Sequence, residues 1–174
     1  MGTLKTEPAR ERPDLLAPPV LAALETWTEP EVLVAPIDPA LADTAEFCEA
    51  YGVGLAESAN CVVVAGKREG ETRYAACLVL ATTRADVNGV ARRRLDVRKA
   101  SFAPMDVAVA ETGMEYGGIT PIGLPADWPI LIDARVAATP YVIIGSGVRH
   151  SKIALPGTAL VRLPGAEVIE DLAR

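Results

Sequence analysis

Val20, Leu21, Leu24 and Trp27 recur at helical spacing, with proline ahead of them and Pro30 beyond, and predict a first helix over Pro19 to Trp27. The apolar run from Glu31 to Ala35 predicts a strand. Leu41, Ala45, Cys48 and Tyr51 again follow helical intervals, with Asp43 before Thr44 and Glu46 resembling a capping box and Gly52 and Gly54 ending the helix. Two valine- and leucine-rich runs, Cys61 to Ala65 and Tyr74 to Ala81, flank the polar segment Lys67 to Thr72 and predict a β-hairpin of largely buried strands.

Farther on, the pattern predicts a helix over Asp86 to Arg94, a brief strand over Arg98 to Phe102 and a helix over Met105 to Thr112 that Gly113 ends. Strands follow at Ile130 to Asp133, Tyr141 to Ile144 and Lys152 to Leu155, and the tail from Thr158 carries a last short helix or strand. About seven strands and four helices without regular βαβ alternation imply an α+β class, with a mixed, mostly antiparallel sheet and flanking helices.

The chain has 174 residues, half of them hydrophobic, which suits one well-buried domain. Residues 1–18 combine Lys5, Glu7, Arg10, Glu11 and Arg12 with Pro8, Pro13 and Pro18, so they are expected to form a flexible N-terminal tail ahead of a single domain over residues 19–174. This end lacks the apolar core of a signal peptide. No run approaches the roughly 20 apolar residues of a membrane helix, so the expectation is a cytoplasmic protein with no membrane partner.

Cys48, Cys61 and Cys77 are odd in number and widely spaced, which argues for free thiols over a disulfide framework or a thiolate zinc site. His150 is the only histidine and no cluster of acids stands out, so no metal and no cofactor are expected. A net charge of −6 argues against a protein that grips DNA or long stretches of RNA through phosphate neutralisation. Local contact stays open: Arg92, Arg93, Arg94, Arg98 and Lys99 form a basic run that suits either phosphates near one end of an RNA or a solvated face.

The most informative stretch is Tyr116 to Pro125, YGGITPIGLP. Gly117 and Gly118 allow close backbone approach, Pro121 fixes its own φ and pushes Thr120 toward an extended conformation, and successive amides in such a turn can cradle an oxyanion. The same string also suits an ordinary tight loop between strands. Gly145-Ser146-Gly147 follows a predicted strand and offers a second amide nest, although it carries neither a dinucleotide fingerprint nor a P-loop. Ser146, His150 and Asp133 make a hydrolytic triad in name only, because no GxSxG elbow presents the serine. Asn60, just ahead of a strand, is either a turn residue or a neutral amide at a pocket mouth. Cys61 without a basic partner reads as a small core residue, and Arg149 and Lys152 read as surface charges.

Taken in order, Ala42-Asp43-Thr44-Ala45, Ala59-Asn60-Cys61-Val62-Val63, Arg84-Ala85-Asp86-Val87, Thr112-Gly113, Gly117-Gly118-Ile119-Thr120-Pro121-Ile122-Gly123, Ile132-Asp133 and Gly145-Ser146-Gly147 resemble the YbaK and prolyl-tRNA synthetase associated domain family over about residues 31 to 164. The resemblance implies a YbaK-like fold and a trans-editing deacylase. Such an enzyme hydrolyses the ester of a mischarged aminoacyl-tRNA, with a small amino acid such as alanine or cysteine, often on proline tRNA. Its partners would be the aminoacyl-tRNA acceptor end and, transiently, an aminoacyl-tRNA synthetase. It further implies catalytic roles for Asn60, Gly117 and Gly118, and substrate contacts from Thr120, Pro121, Asp133, Gly145, Ser146 and Gly147. Water attack in that family is assisted by the substrate's terminal ribose hydroxyl. Many members carry a lysine where this chain has Asn60, and an amide cannot supply that charge. The alternative expectation is therefore a non-catalytic protein that binds the aminoacyl-tRNA or nucleotide end and has lost turnover.

Overall fold

Two sheets divide the nine strands of the computed structural model, which describes residues 1–174. From the N-terminus come β1 (Glu7–Pro8), α1 (Pro18–Thr26), β2 (Leu33–Pro36), α2 (Thr44–Tyr51), β3 (Ala59–Arg68) and β4 (Glu71–Leu80). Then follow α3 (Arg92–Leu95), β5 (Ala100–Phe102), α4 (Met105–Thr112), β6 (Ile130–Asp133) and α5 (Ala134–Ala137). The chain closes with β7 (Val142–Gly145), β8 (Ser151–Leu155), α6 (Gly157–Leu160) and β9 (Ala166–Ile169). One sheet runs β1-β2-β8-β7 and is antiparallel throughout; the other runs β5-β3-β4-β6-β9, with β6 parallel to both β4 and β9. The class is α+β, but the expected mixed sheet is split in two, because strand order depends on long-range pairing that local patterning does not encode. No helix is long and apolar enough to cross a membrane.

The main core lies between the sheets. Val34, Ile144, Ile153 and Leu155 from one meet Leu78, Leu80, Ile130 and Ile132 from the other, and α1 contributes Val20 and Leu24. A second core backs the five-stranded sheet, where Val64, Cys77 and Leu131 pack on Ala91, Leu95 and Leu172. A third backs the four-stranded sheet, where Ile143 and Ala154 pack on Phe47 and Cys48 of α2. α2 therefore covers the outer face of β8 and β7, which decides what lies beneath it. An isolated parallel bridge between Ser58 and Ile143 ties the start of β3 to β7 and brings the two sheets edge to edge.

Several expectations need correction. Residues 1–18 are not a loose tail: Ala9, Leu15, Leu16 and Ala17 are buried in the main core and β1 pairs with β2. Charge and proline content hid the short apolar run Leu15-Leu16-Ala17, whose burial outweighs the polar surroundings. The hairpin is longer than its apolar centre, since Glu69 (φ 52°) and Gly70 (φ 84°) turn the chain tightly and let the polar flanks pair. Asp86 to Arg94 is not one helix; a kink at Gly89 interrupts it, and only Arg92–Leu95 is α-helical. Asp43 occupies the N-cap of α2 but makes no side-chain cap bond, because its carboxylate faces Arg149 instead.

Candidate active site

A cavity of about 220 Å³ opens where α2, the start of β3, the glycine loop after α4 and the β7–β8 pair converge. Asn60 and Cys61 reach it from β3, Asp43 and Thr44 from the first turn of α2, Met105 from α4, and Tyr116, Gly117 and Ile119 from the loop. Gly145 and Lys152, partners across β7 and β8, complete the wall.

The two glycine segments interlock. The Gly147 amide donates to the Gly118 carbonyl (2.7 Å), the Gly118 amide to the Glu115 carbonyl (3.0 Å) and the Glu115 amide to the Gly147 carbonyl (2.8 Å). A Cβ on Gly145 would stand 2.5 Å from the Gly118 oxygen, and one on Gly118 would stand 2.7 Å from the Val148 oxygen. Glycine is needed at both positions because backbone approaches backbone there. The Gly147 amide is thus spent on joining the two loops and the Gly118 amide on closing the turn with Glu115, whereas those of Gly117 and Ile119 have no partner within the chain.

The pocket's polarity comes mainly from two side chains. The Thr44 hydroxyl donates to Asn60 Oδ1 (2.7 Å), which leaves the Asn60 NH₂ group to donate elsewhere. Lys152 is half-buried: its ammonium lies over the Phe47 ring, with Nζ 5.1 Å from the centroid, and donates to the Ala42 carbonyl (3.0 Å). It forms no ion pair within 4 Å. Burial pushes its pKa below the ordinary lysine value; Cys48 and Asp43 oppose that shift and Arg149 adds to it. Cys61 also lines the cavity, but burial raises its thiol, with Cys77 adding to the effect, so it is no thiolate.

Arg149 braces the rim. Its guanidinium donates to the carbonyls of Tyr116 and Pro39 (3.1 Å each), lies 3.6 Å from Asp43 Oδ1 and covers the Tyr116 ring at 5.8 Å. These contacts tie the glycine loop to the approach to α2. Arg149 is a brace and Lys152 a lining residue, so neither is the ordinary surface charge that the local sequence suggests.

Of the residues singled out from sequence, Asn60, Gly117 and Gly145 line the cavity, and Gly118 and Gly147 support it from behind. Thr120 is buried outside the lining with its hydroxyl unpartnered, and Pro121 faces a separate cavity beside Trp27. Ser146 is fully buried, exchanging hydrogen bonds with Ser151 (2.6 Å between hydroxyls), and so does not face substrate. Asp133 is not in the wall: it caps α5 through the Arg135 amide, pairs with the Arg135 guanidinium and accepts from the Ala173 amide (3.0 Å). Burial alone would raise its carboxyl, but those hydrogen bonds outweigh it and hold the pKa below the ordinary value. His150 Nε2 contacts the Asp14 carbonyl (3.1 Å), so Ser146, His150 and Asp133 form no triad. Thr44, Ile119 and Lys152 were missed. A lysine ahead of the apolar run Ile153-Ala154-Leu155 was a signal for the last, but only the pairing of β8 with both β2 and β7 makes it central.

The sequence profile of the aminoacyl-tRNA editing domain matches residues 38–163. Among solved structures, a scaffold protein used for grafting linear epitopes superposes with a TM-score of 0.74 at 25% identity, covering 88% of this chain and 95% of that one. A candidate trans-editing enzyme for prolyl-tRNA synthetase gives a TM-score of 0.74 at 24% identity, over 88% of this chain and 94% of the other. A hypothetical protein gives 0.74 at 20% identity, over 90% and 99%. At these identities the last two speak for a shared fold.

Proposed function

The chain belongs to the aminoacyl-tRNA editing domain family, and from that premise we propose that it is an aminoacyl-tRNA deacylase that hydrolyses the ester of a small, wrongly attached amino acid in trans. The observation that carries this reading is one cavity lined by Lys152, whose ammonium has no ion pair, by Asn60, whose NH₂ group has no partner within the chain, and by Gly117 and Ile119, whose backbone amides have none. Ester hydrolysis needs donors aimed at the oxygen that becomes negative in the tetrahedral intermediate. At about 220 Å³ the cavity is smaller than the roughly 300–1,000 Å³ typical of drug-sized ligands, which supports a small acyl group such as alanyl or cysteinyl.

In this mechanism the acyl side chain rests against Ala59, Cys61 and Ile119, and the carbonyl oxygen takes hydrogen bonds from the Gly117 and Ile119 amides. Lys152 stabilises the developing charge from the β8 side, supplying a cation that Asn60 cannot. Asn60 donates to a ribose or carbonyl oxygen, its orientation set by Thr44. The one carboxylate in the lining, Asp43, faces Arg149, so water activation is assigned to the substrate's own terminal ribose hydroxyl. Water oxygen bonds to the carbonyl carbon, the bond from that carbon to the ribose oxygen breaks, and the ribose oxygen regains a proton as the amino acid leaves. Tyr116 and Met105, 54% and 46% exposed at the mouth, offer a surface on which the terminal adenine can stack.

A panel of tRNAs charged with alanine, cysteine, serine and threonine, with correctly charged species as controls, tests the proposal. Release of amino acid from at least one mischarged tRNA, with the cognate controls spared, is the expected outcome. Binding of such tRNAs without release would instead support a protein that kept the pocket and lost turnover.

A further inference from the structure

A second concavity, about 460 Å³, lies on the same face of the five-stranded sheet as Cys61, on the far side of α4. Odd-numbered residues of β3 share that face by strand alternation. Cys61 opens to the first cavity, Val63 lies beneath Ala108 of α4, and Ala65 and Lys67 open to the second. From Cys61 to Lys67 is six strand residues, about 20 Å at 3.3 Å each. Met105 faces the first cavity while its neighbours Pro104 and Val107 face the second, so the first turn of α4 is the ridge between them.

The charge of this groove is its distinguishing feature. Lys67, Arg98 and Lys99 line it and no carboxylate does. Of the two acids that share an adjoining cavity with Lys67 and Arg98, Asp96 is engaged with Arg68 and Arg73, and Glu69 forms no ion pair. Lys67, Arg98 and Lys99 make no ion pair. In a chain of net charge −6, a concave surface with three unneutralised cations reverses the overall field locally and attracts a polyanion there. Tyr74, stacked on Trp128 with centroids 5.0 Å apart, gives the groove a rigid aromatic side.

We propose that this groove holds the phosphates of the single-stranded 3′ segment of an RNA whose terminal residue occupies the first cavity. The proposal rests on the deacylase reading for the occupant of that first cavity, while the groove itself stands on its own charge and shape. A few nucleotides span the distance between the two cavities, and phosphate contact without base readout suits a protein that must accept one RNA end in a fixed register.

The test is the triple variant Lys67→Ala/Arg98→Ala/Lys99→Ala, assayed on an aminoacyl-tRNA and on an aminoacyl ester of adenosine that lacks the phosphates. We expect KM for the tRNA to rise at least tenfold with kcat little changed, while hydrolysis of the adenosine ester stays at the wild-type rate. The slope of log kcat/KM against log salt should become shallower by about 2, from roughly 0.7 per single-strand phosphate contact. Equal losses on both substrates, or an unchanged KM and salt slope, would overturn the groove. If the wild type hydrolyses neither substrate, the deacylase reading fails separately, and the groove is judged by anisotropy with an uncharged acceptor-stem hairpin ending in a single strand. Binding by the wild type that the variant loses supports it; no binding, or equal binding by both, refutes it.

Discussion

Replacing Lys152 by methionine removes one ammonium from the cavity and almost nothing else. Methionine is of similar length and can fill the same space, while the ammonium's contact with the Phe47 ring and its hydrogen bond to the Ala42 carbonyl are lost. A hydrogen bond to a charged donor contributes about 1.5–3 kcal/mol, but partly burying an ammonium with no carboxylate partner has a desolvation cost of comparable size and opposite sign. Stability should therefore change by no more than about 1 kcal/mol, or about 2–4 °C in Tm for a chain of this length. Catalysis should respond far more, since loss of one donor to a developing oxyanion costs about 100 to 1,000-fold in kcat.

The pH dependence separates charge from shape. Burial lowers the Lys152 pKa, so activity that needs the ammonium falls as pH rises through that lowered value. Lys152→Arg, if it retains activity, should lack this alkaline limb because a guanidinium keeps its proton. Stability moves the other way: between the lowered folded value and the ordinary lysine value the unfolded chain binds more protons, so Lys152 makes the fold more stable as pH rises across that window. Cys48, Asp43 and Arg149 face the same ammonium and contribute to the position of the limb. Wild-type kcat/KM in Lys152→Met, measured by release of labelled amino acid, would refute the role given to this lysine, and so would an activity loss that merely tracks a collapse in Tm.

Gly145→Ala sets a methyl 2.5 Å from the Gly118 oxygen, so it should cost about 1–3 kcal/mol in urea unfolding and lower kcat by displacing the Gly117–Ile119 amides. His150→Ala should retain full deacylation, because the ring contacts Asp14 and not the cavity; a loss above tenfold with intact folding would revive the serine triad. Leu15→Ala should cost about 2–5 kcal/mol in thermal or urea unfolding, a loss that a loose tail would not show. In the Lys152→Met background, Asn60→Lys should recover part of the lost kcat by returning a cation from the β3 side, as read in the same release assay.

Much of the fold was legible because local patterning and packing agree. Val20, Leu24 and the prolines mark α1, Gly113 (φ 67°) ends α4, and the valine runs mark β3 and β4. The reading failed where two signals competed. Leu15 and Leu16 sit among charges and prolines, and the periodicity of Asp86 to Arg94 conceals a kink at Gly89. Asn60, Gly117 and Gly145 were recoverable because short motifs name them. The roles of Gly118 and Gly147 were not, because whether an amide is free or spent depends on which carbonyl lies opposite it in space.

Residue order alone determined the α+β class, the positions of most strands and helices, and the resemblance that points to aminoacyl-tRNA editing, since these follow from periodicity, turn chemistry and motif spacing. Tertiary structure decided which polar groups share a cavity. Lys152 enters it because β8 pairs between β2 and β7 and α2 covers its outer face. Asp133 is excluded because β6 pairs within the other sheet and Arg135 and Ala173 claim its oxygens. Pairing between distant strands follows from total burial and hydrogen-bond satisfaction across the whole chain, so no local window contains it.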